Sequence, residues 1–263
     1  MYSLGKNFHL KDLSKVLKVS QEIGEYVVER IIFDSRIAQK GDLFIPLKGL
    51  NYDGEDFCNA AIDKGAAVLT TKIIKGPAIK VDDIYKSLLE ICNFKLLSLK
   101  PKIIFITGSY GKTTVKDMLK TILGPSCHAS KDNENNEFGI PFTIMSMPKA
   151  CEYLVVECGA RNPNDFNLIS EYLFCDVFIL TSIAENHLTT FGTVENIINT
   201  KMELKNCLRD KSNFIDGRSI VKESILEKNR EILRQTLRLL SIEMELDNIS
   251  FNPPSGRGSI IKK

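Results

Sequence analysis

A chain of 263 residues with 43% apolar and 26% charged side chains can bury a real core, and at roughly 100–200 residues per domain two domains are expected. A formal net charge of +2, with Lys and Arg scattered rather than massed, argues against a nucleic-acid partner and leaves room for small anionic ligands. Seven cysteines without a Cys-x-x-Cys pair argue against a disulfide framework or zinc knuckle, while the lack of a signal-like N-terminus or membrane-span-length apolar run predicts a cytoplasmic chain without membrane insertion.

Residues 1–98 read as a small α/β unit. Strands are predicted at 27–33, 42–46 and 66–70, with a helix at 57–64 between the last two. Asp82 and Asp83 offer an N-cap for a helix in which Ile84, Leu88, Ile91, Cys92 and Leu96 recur at helical spacing. Ser98-Leu-Lys-Pro101 is the expected hinge into a second unit, 101–263. There Lys102–Thr107 predicts a strand and 113–123 a helix, and apolar runs at 153–158 and 176–181 predict two more strands separated by a polar helical stretch. Strands this apolar, alternating with helices, indicate a parallel sheet covered on both faces. Ligands of such sheets bind beyond the carboxyl ends of the strands, where this chain carries residues 108–114, Glu157 and His187. From Arg209 to about Lys228 the sequence reads as polar; Glu231, Leu233, Leu237, Leu240 and Met244 then predict a closing helix, and residues 251–257 a turn-rich stop. Several cysteines fall inside the apolar runs and are expected to act as small core hydrophobes.

The strongest local signal is Gly108-Ser-Tyr-Gly111-Lys112-Thr113, placed between a predicted strand and a predicted helix. Such a turn aims backbone N–H groups at an anion, the glycines let the backbone approach phosphate, Lys112 supplies a point charge and Thr113 a hydroxyl for magnesium. The longer P-loop pattern wants glycine at 106, where this chain has Ile106.

The octapeptide Thr107-Gly-Ser-Tyr-Gly-Lys-Thr-Thr114 resembles the compact phosphate loop of the Mur ligases, and residues 133–141, 155–160, 187–192 and 200–203 follow in that family's order and spacing. Upstream, residues 33–36, 41–44, 49–54 and 65–66 resemble the family's UDP-binding domain. Lys116 and Asn133-Glu-Asn-Asn136 favour the members that add D-alanyl-D-alanine. The resemblance implies an α/β architecture: a small N-terminal UDP-binding domain followed by a central P-loop domain with a parallel sheet. It also implies UDP-N-acetylmuramoyl-tripeptide and D-alanyl-D-alanine as substrates, joined at the expense of ATP with Mg²⁺ through an acyl phosphate.

On that resemblance Gly108, Ser109, Gly111, Lys112, Thr113, Thr114, Asn135 and Asn136 would contact the nucleotide. Thr113, Glu157 and His187 would contact metal, and Lys112, His187 and Lys201 would serve the chemistry, Lys201 as the lysine that the family carbamylates. Ser35 and Arg36 are the candidates for the UDP group, since hydroxyl and guanidinium suit a diphosphate or uracil edge. Tyr110, Glu55 and Ser182 depart from the family's usual residues. Family members also place more residues between Arg209 and Asn229 and continue into a further domain after a segment like 251–257. The expectation is therefore an incomplete central sheet with the C-terminal domain absent, uncovered strand edges or apolar surface, and weak or no turnover unless a separate chain supplies the missing part. Competing readings are a non-catalytic UDP-precursor-binding remnant, a folylpolyglutamate-synthase-like ligase, and a generic P-loop NTPase that leaves residues 1–98 unexplained.

Overall fold

The computed structural model describes residues 8–21, 24–49, 51–131, 134–186 and 188–246. These divide into two compact units, one running to Leu99 and including Ile144–Met147, the other comprising Lys100–Thr143 and the chain from Pro148 onward. A hinge near 98–101 is legible in the sequence; the excursion of Ile144–Met147 into the first unit is not. Lys95 accounts for part of it, because its buried ammonium donates to the Met145 carbonyl.

In the first unit, β1 (Phe8–His9) leads into α1 (Leu10–Val16) and pairs antiparallel with β2 (Val27–Val28). A four-stranded parallel sheet follows: β3 (Arg30–Ile32), β4 (Asp42–Phe44), β5 (Ala67–Thr70) and β6 (Ala78–Lys80), in that order. Helix α2 (Cys58–Asp63) precedes β5, and α3 (Ile84–Leu99) closes the unit, with the Asp83 carboxylate accepting from the Lys86 N–H at 2.9 Å. The single strand predicted at 27–33 is thus two strands in two sheets, because Glu29 turns away to donate its N–H to Gly41 O. Glu55, one of the departures, has an internal task here: its carboxylate accepts from Thr71 N–H at 2.6 Å, Thr71 Oγ1 at 2.7 Å and Thr70 Oγ1 at 2.9 Å, tying down the end of β5.

The second unit is built on a five-stranded, wholly parallel sheet. In chain order its elements are β7 (Lys102–Thr107), α4 (Lys112–Leu123), β8 (Cys127–Ala129), α5 (Gly139–Ser146), β9 (Tyr153–Glu157), α6 (Asn167–Tyr172), β10 (Val177–Leu180), α7 (Leu188–Phe191), α8 (Val194–Glu203), β11 (Phe214–Asp216) and α9 (Ile225–Leu239). The strand order is β11-β10-β7-β9-β8. The chain therefore leaves β7 toward one edge and later crosses it toward the other, which opens a crevice at the carboxyl ends around β7. Burial on both faces explains the apolar strands: Ile104, Ile106, Val155 and Ile179 join one core with Val115, Met118 and Leu119 of α4, while Ile103, Phe105, Leu154 and Phe178 are buried on the other side.

The chain after Arg209 adds two elements. The polar stretch after Arg209 does hold a strand, β11, parallel to β10; Ile215 is buried and the Phe214 ring stacks on Phe178 at 5.2 Å. Helix α9 lays Ile232, Leu233 and Leu237 onto the core it shares with α4 and the strands. This helix begins at Ile225, earlier than the apolar spacing indicates, because Ser224 caps it by accepting from the Glu227 N–H at 3.1 Å. All seven cysteines are free thiols, six of them buried and Cys127 partly so, and burial raises the Cys58 thiol to about 12. The expected stop at 251–257 lies outside the described residues.

Candidate functional site

The turn between β7 and α4 needs glycine at both ends. Gly108 has φ +146° and Gly111 φ +85°, and a Cβ on Gly108 would stand 2.1 Å from Thr181 Oγ1 and 2.9 Å from Ser182 N. Thr181 is this close because β7 and β10 are neighbours, with Thr107 opposite Leu180. Residues just beyond β10 hold the turn: the Ser109 N–H donates to Ser182 O at 2.8 Å, the Tyr110 N–H to Ser182 Oγ at 2.9 Å, and Thr181 Oγ1 donates to Tyr110 O at 2.6 Å. Two departures from the family pattern, Tyr110 and Ser182, are therefore bonded to each other. The Tyr110 hydroxyl reaches on to Asn186 Oδ1 at 2.9 Å, and Ser109 Oγ is engaged with the backbone of Ala184.

Helix α4 starts at Lys112, which puts its first-turn N–H groups, those of Thr113 and Thr114 among them, at the turn. The Lys112 ammonium folds back and donates to Gly108 O at 2.8 Å. Thr113 Oγ1 donates to Glu157 Oε1 at 3.2 Å, and Asn135 Nδ2 donates to the same oxygen at 3.0 Å. Glu157 ends β9, next to β7, and is 1% exposed. Its other oxygen, Oε2, is buried without a hydrogen bond, 3.8 Å from the ammonium of buried Lys116. Lys116 follows Thr113 by three positions, so both project from one face of α4. A buried carboxylate demands such a partner, since an isolated one would be neutralised instead.

Thr113 and Glu157 present hydroxyl and carboxylate oxygens side by side, the donor types a hard divalent cation takes, and Oε2 has accepting capacity to spare. Among the described residues no group of three or more His, Cys, Asp or Glu side chains is gathered for a metal. His187 lies outside the described residues.

A cleft of about 380 Å³ opens beside this network, lined by Gly108, Ser109 and Lys112 together with Gly159, Ala160 and Arg161. Asn135 and Asn186 contribute amides, Phe191 and Ile197 apolar wall, and Lys201 a buried amine. Lys201, on α8, is 4% exposed; burial first, and the charge of Lys112 second, lower its pKa to about 8. Asn136 does not line the cleft, and its Oδ1 instead accepts from the Gly139 N–H at 2.9 Å, capping α5. Ser35 and Arg36 belong to the first unit, in a short 3₁₀ turn where the exposed Arg36 guanidinium folds onto Asp34 at 2.7 Å and Lys64 donates to both backbone carbonyls. Of the residues singled out in the sequence, the structure brings the turn, Glu157, Asn135 and Lys201 to one place. Sequence reasoning missed Thr181 and Arg161, and it took Lys116 only as a marker of family type.

A parallel α/β sheet with a glycine-bounded turn at the head of a helix, a lysine over that turn and a buried carboxylate on the next strand define a phosphate-loop nucleotide-binding class of domain. The profile of the Mur ligase middle domain matches residues 106–239, and the chain belongs to the Mur ligase family. It is 33% identical over 212 residues to the UDP-N-acetylmuramoyl-tripeptide–D-alanyl-D-alanine ligase of Bacillus subtilis, covering 76% of this chain and 46% of that one. The crystal structure of MurF ligase from Thermotoga maritima in complex with ADP aligns with a TM-score of 0.64 and 28% identity, over 71% of this chain and 49% of that one. MurF from Acinetobacter baumannii shares the fold, with a TM-score of 0.69 at 24% identity over 80% of this chain and 52% of that one. The chain thus spans about half the length of the curated relatives it matches. Among the described residues no helix is long and apolar enough to cross a membrane.

Proposed function

We propose that this chain serves an ATP-dependent amide ligation in the cytoplasmic assembly of peptidoglycan precursors, joining D-alanyl-D-alanine to UDP-N-acetylmuramoyl-tripeptide through an acyl phosphate. One observation carries the reading: Lys112, Thr113 and Glu157 meet at the adjacent ends of β7 and β9, beside a cleft that also holds Lys201. Forming an amide from a carboxylate at neutral pH is uphill, so the carboxylate must first be phosphorylated, and the protein's task is largely to manage charge.

In this reading Lys112 leaves the Gly108 carbonyl for the terminal phosphates, and the turn from Gly108 to Gly111, with Ser109 and Thr114, lets backbone approach them. Thr113 and Glu157, with His187, would hold magnesium, which when bound supplies charge neutralisation of the phosphates. Asn135 and Lys116 keep Glu157 oriented, and Asn136 serves the site indirectly by fixing the start of α5. Lys201, with a pKa near 8, has an appreciable neutral fraction at physiological pH, the form that takes up carbon dioxide to become a carbamate. In the first unit, Ser35 and Arg36 are the proposed contacts to the UDP group.

The test is release of ADP and phosphate by the purified chain. Release is expected only when both UDP-N-acetylmuramoyl-tripeptide and D-alanyl-D-alanine are present, and only weakly from this chain alone. Turnover indifferent to both, or stimulated by a folate instead, would overturn it.

A further inference from the structure

We propose that Arg161 grips the carboxylate about to be activated, as a bidentate anchor in the cleft beside the phosphate turn. The inference rests on the ligase reading and names a substrate contact within the same site.

Strands β7 and β9 pair in parallel with Ile106 opposite Glu157, so Gly108 and Gly159 stand two positions beyond that pair on adjacent strands. The phosphate turn and the segment carrying Arg161 therefore leave the sheet side by side, and both line the cleft. The Arg161 backbone is held from two directions: its N–H donates to Asp165 Oδ2 at 2.7 Å, and its carbonyl accepts from Thr190 Oγ1. Asp165 Oδ2 also takes the Asn162 N–H at 2.9 Å, which fixes the turn at the root of the side chain.

The guanidinium itself is uncommitted: Arg161 is exposed and has no ion-pair or side-chain hydrogen-bond partner among the described residues. Arg30, Arg36, Arg209 and Arg218, by contrast, are each paired to an aspartate. Among the described residues, the cleft lining holds Lys112, Lys201 and Arg161 and no carboxylate. Lys112 belongs to the phosphate turn, and Lys201 is buried with its charge weakened. Among the described residues of the cleft, Arg161 is thus the strong, open cation left for a second anion. A guanidinium offers two parallel N–H donors at the spacing of a carboxylate, whereas phosphate is already served by the turn and by the head of α4. A carboxylate to be phosphorylated must be held close to the terminal phosphate and in line with it, and this part of the cleft is where such a group would be held.

The experiment is calorimetric binding, in saturating magnesium and ADP, of two probes: UDP-N-acetylmuramoyl-tripeptide, and the same compound with its terminal carboxylate converted to a primary amide. Wild type is expected to prefer the free acid by about tenfold or more, the worth of a charged bidentate contact. Arg161→Gln should bind the acid as weakly as the amide, leave the amide unchanged and keep wild-type affinity for ADP. Arg161→Lys should recover part of the preference. Equal preference for the acid in Arg161→Gln and wild type overturns the assignment. So does a loss confined to a non-hydrolysable ATP analogue, which would make Arg161 a contact to the terminal phosphate. Wild-type protein that binds neither ADP nor the precursor would refute the ligase reading itself and take this inference with it.

Discussion

Substituting Gly108 by alanine tests the geometry of the phosphate turn most sharply. The new Cβ would lie 2.1 Å from Thr181 Oγ1, 2.9 Å from Ser182 N and 3.0 Å from Ser182 O, on a backbone with φ +146°. Holding an L side chain in such a conformation costs about 1–3 kcal/mol, and overpacking against a fixed neighbour about 1–3 kcal/mol more. The expected destabilisation is therefore roughly 2–6 kcal/mol, read as a lowered urea midpoint by circular dichroism. Thr181→Ala alone removes the hydroxyl that donates to Tyr110 O at 2.6 Å, at a cost of about 1 kcal/mol. In the double variant the worst contact disappears while the backbone strain and the Ser182 contacts remain. The pair should fall short of additivity by about 1 kcal/mol or more. ADP affinity should drop in Gly108→Ala and return in part in the double variant. Strict additivity, or a Gly108→Ala protein as stable as wild type, would refute the argument that this turn is shaped by close approach to the end of β10.

Lys201 makes stability depend on pH. Its folded pKa of about 8 lies below the ordinary 10.5, so between those values the unfolded chain binds the extra proton. The contribution of Lys201 to stability should rise as pH increases through that window, while the buried thiols, raised above their ordinary 9.0, work against it; urea midpoints should therefore climb less, or fall more steeply, with pH in Lys201→Met than in wild type, and equal slopes would contradict the assignment. Lys116→Met should destabilise by about 3–5 kcal/mol by leaving the buried Glu157 carboxylate without its counter-charge, whereas Lys116→Met combined with Glu157→Gln should cost less than the single change. A double variant worse than Lys116→Met alone would show that Lys116 matters for packing rather than for pairing.

What was legible in the sequence had a local cause. Strands β7, β9 and β10 announce themselves because both of their faces are buried, giving continuous aliphatic runs. The phosphate turn is written in glycines that no other residue can replace, and Asp83 before α3 is a local cap. The illegible parts depend on partners distant in sequence. β11 offers only Phe214 and Ile215 as apolar residues, and its place comes from pairing with β10. Nothing near Lys116 or Lys201 signals burial; the former is drawn inside by Glu157 and the latter by the wall of the cleft. Tyr110 and Ser182 each read as departures from a pattern, and only their shared hydrogen bonds make them one solution. Asn135 and Asn136, adjacent in one motif, part company for the same reason: one meets Glu157 and the other caps a helix.

The central claim is that the turn ahead of α4 receives the phosphates of a nucleotide, with Lys112 as its cation. Calorimetric titration of the wild-type chain and of Lys112→Met with ATP in magnesium tests it most directly. Wild type should show one saturable site and the variant an affinity weaker by about a hundredfold, with the fold unchanged by circular dichroism. Equal affinity in both proteins, or no binding by the wild type, would contradict the claim.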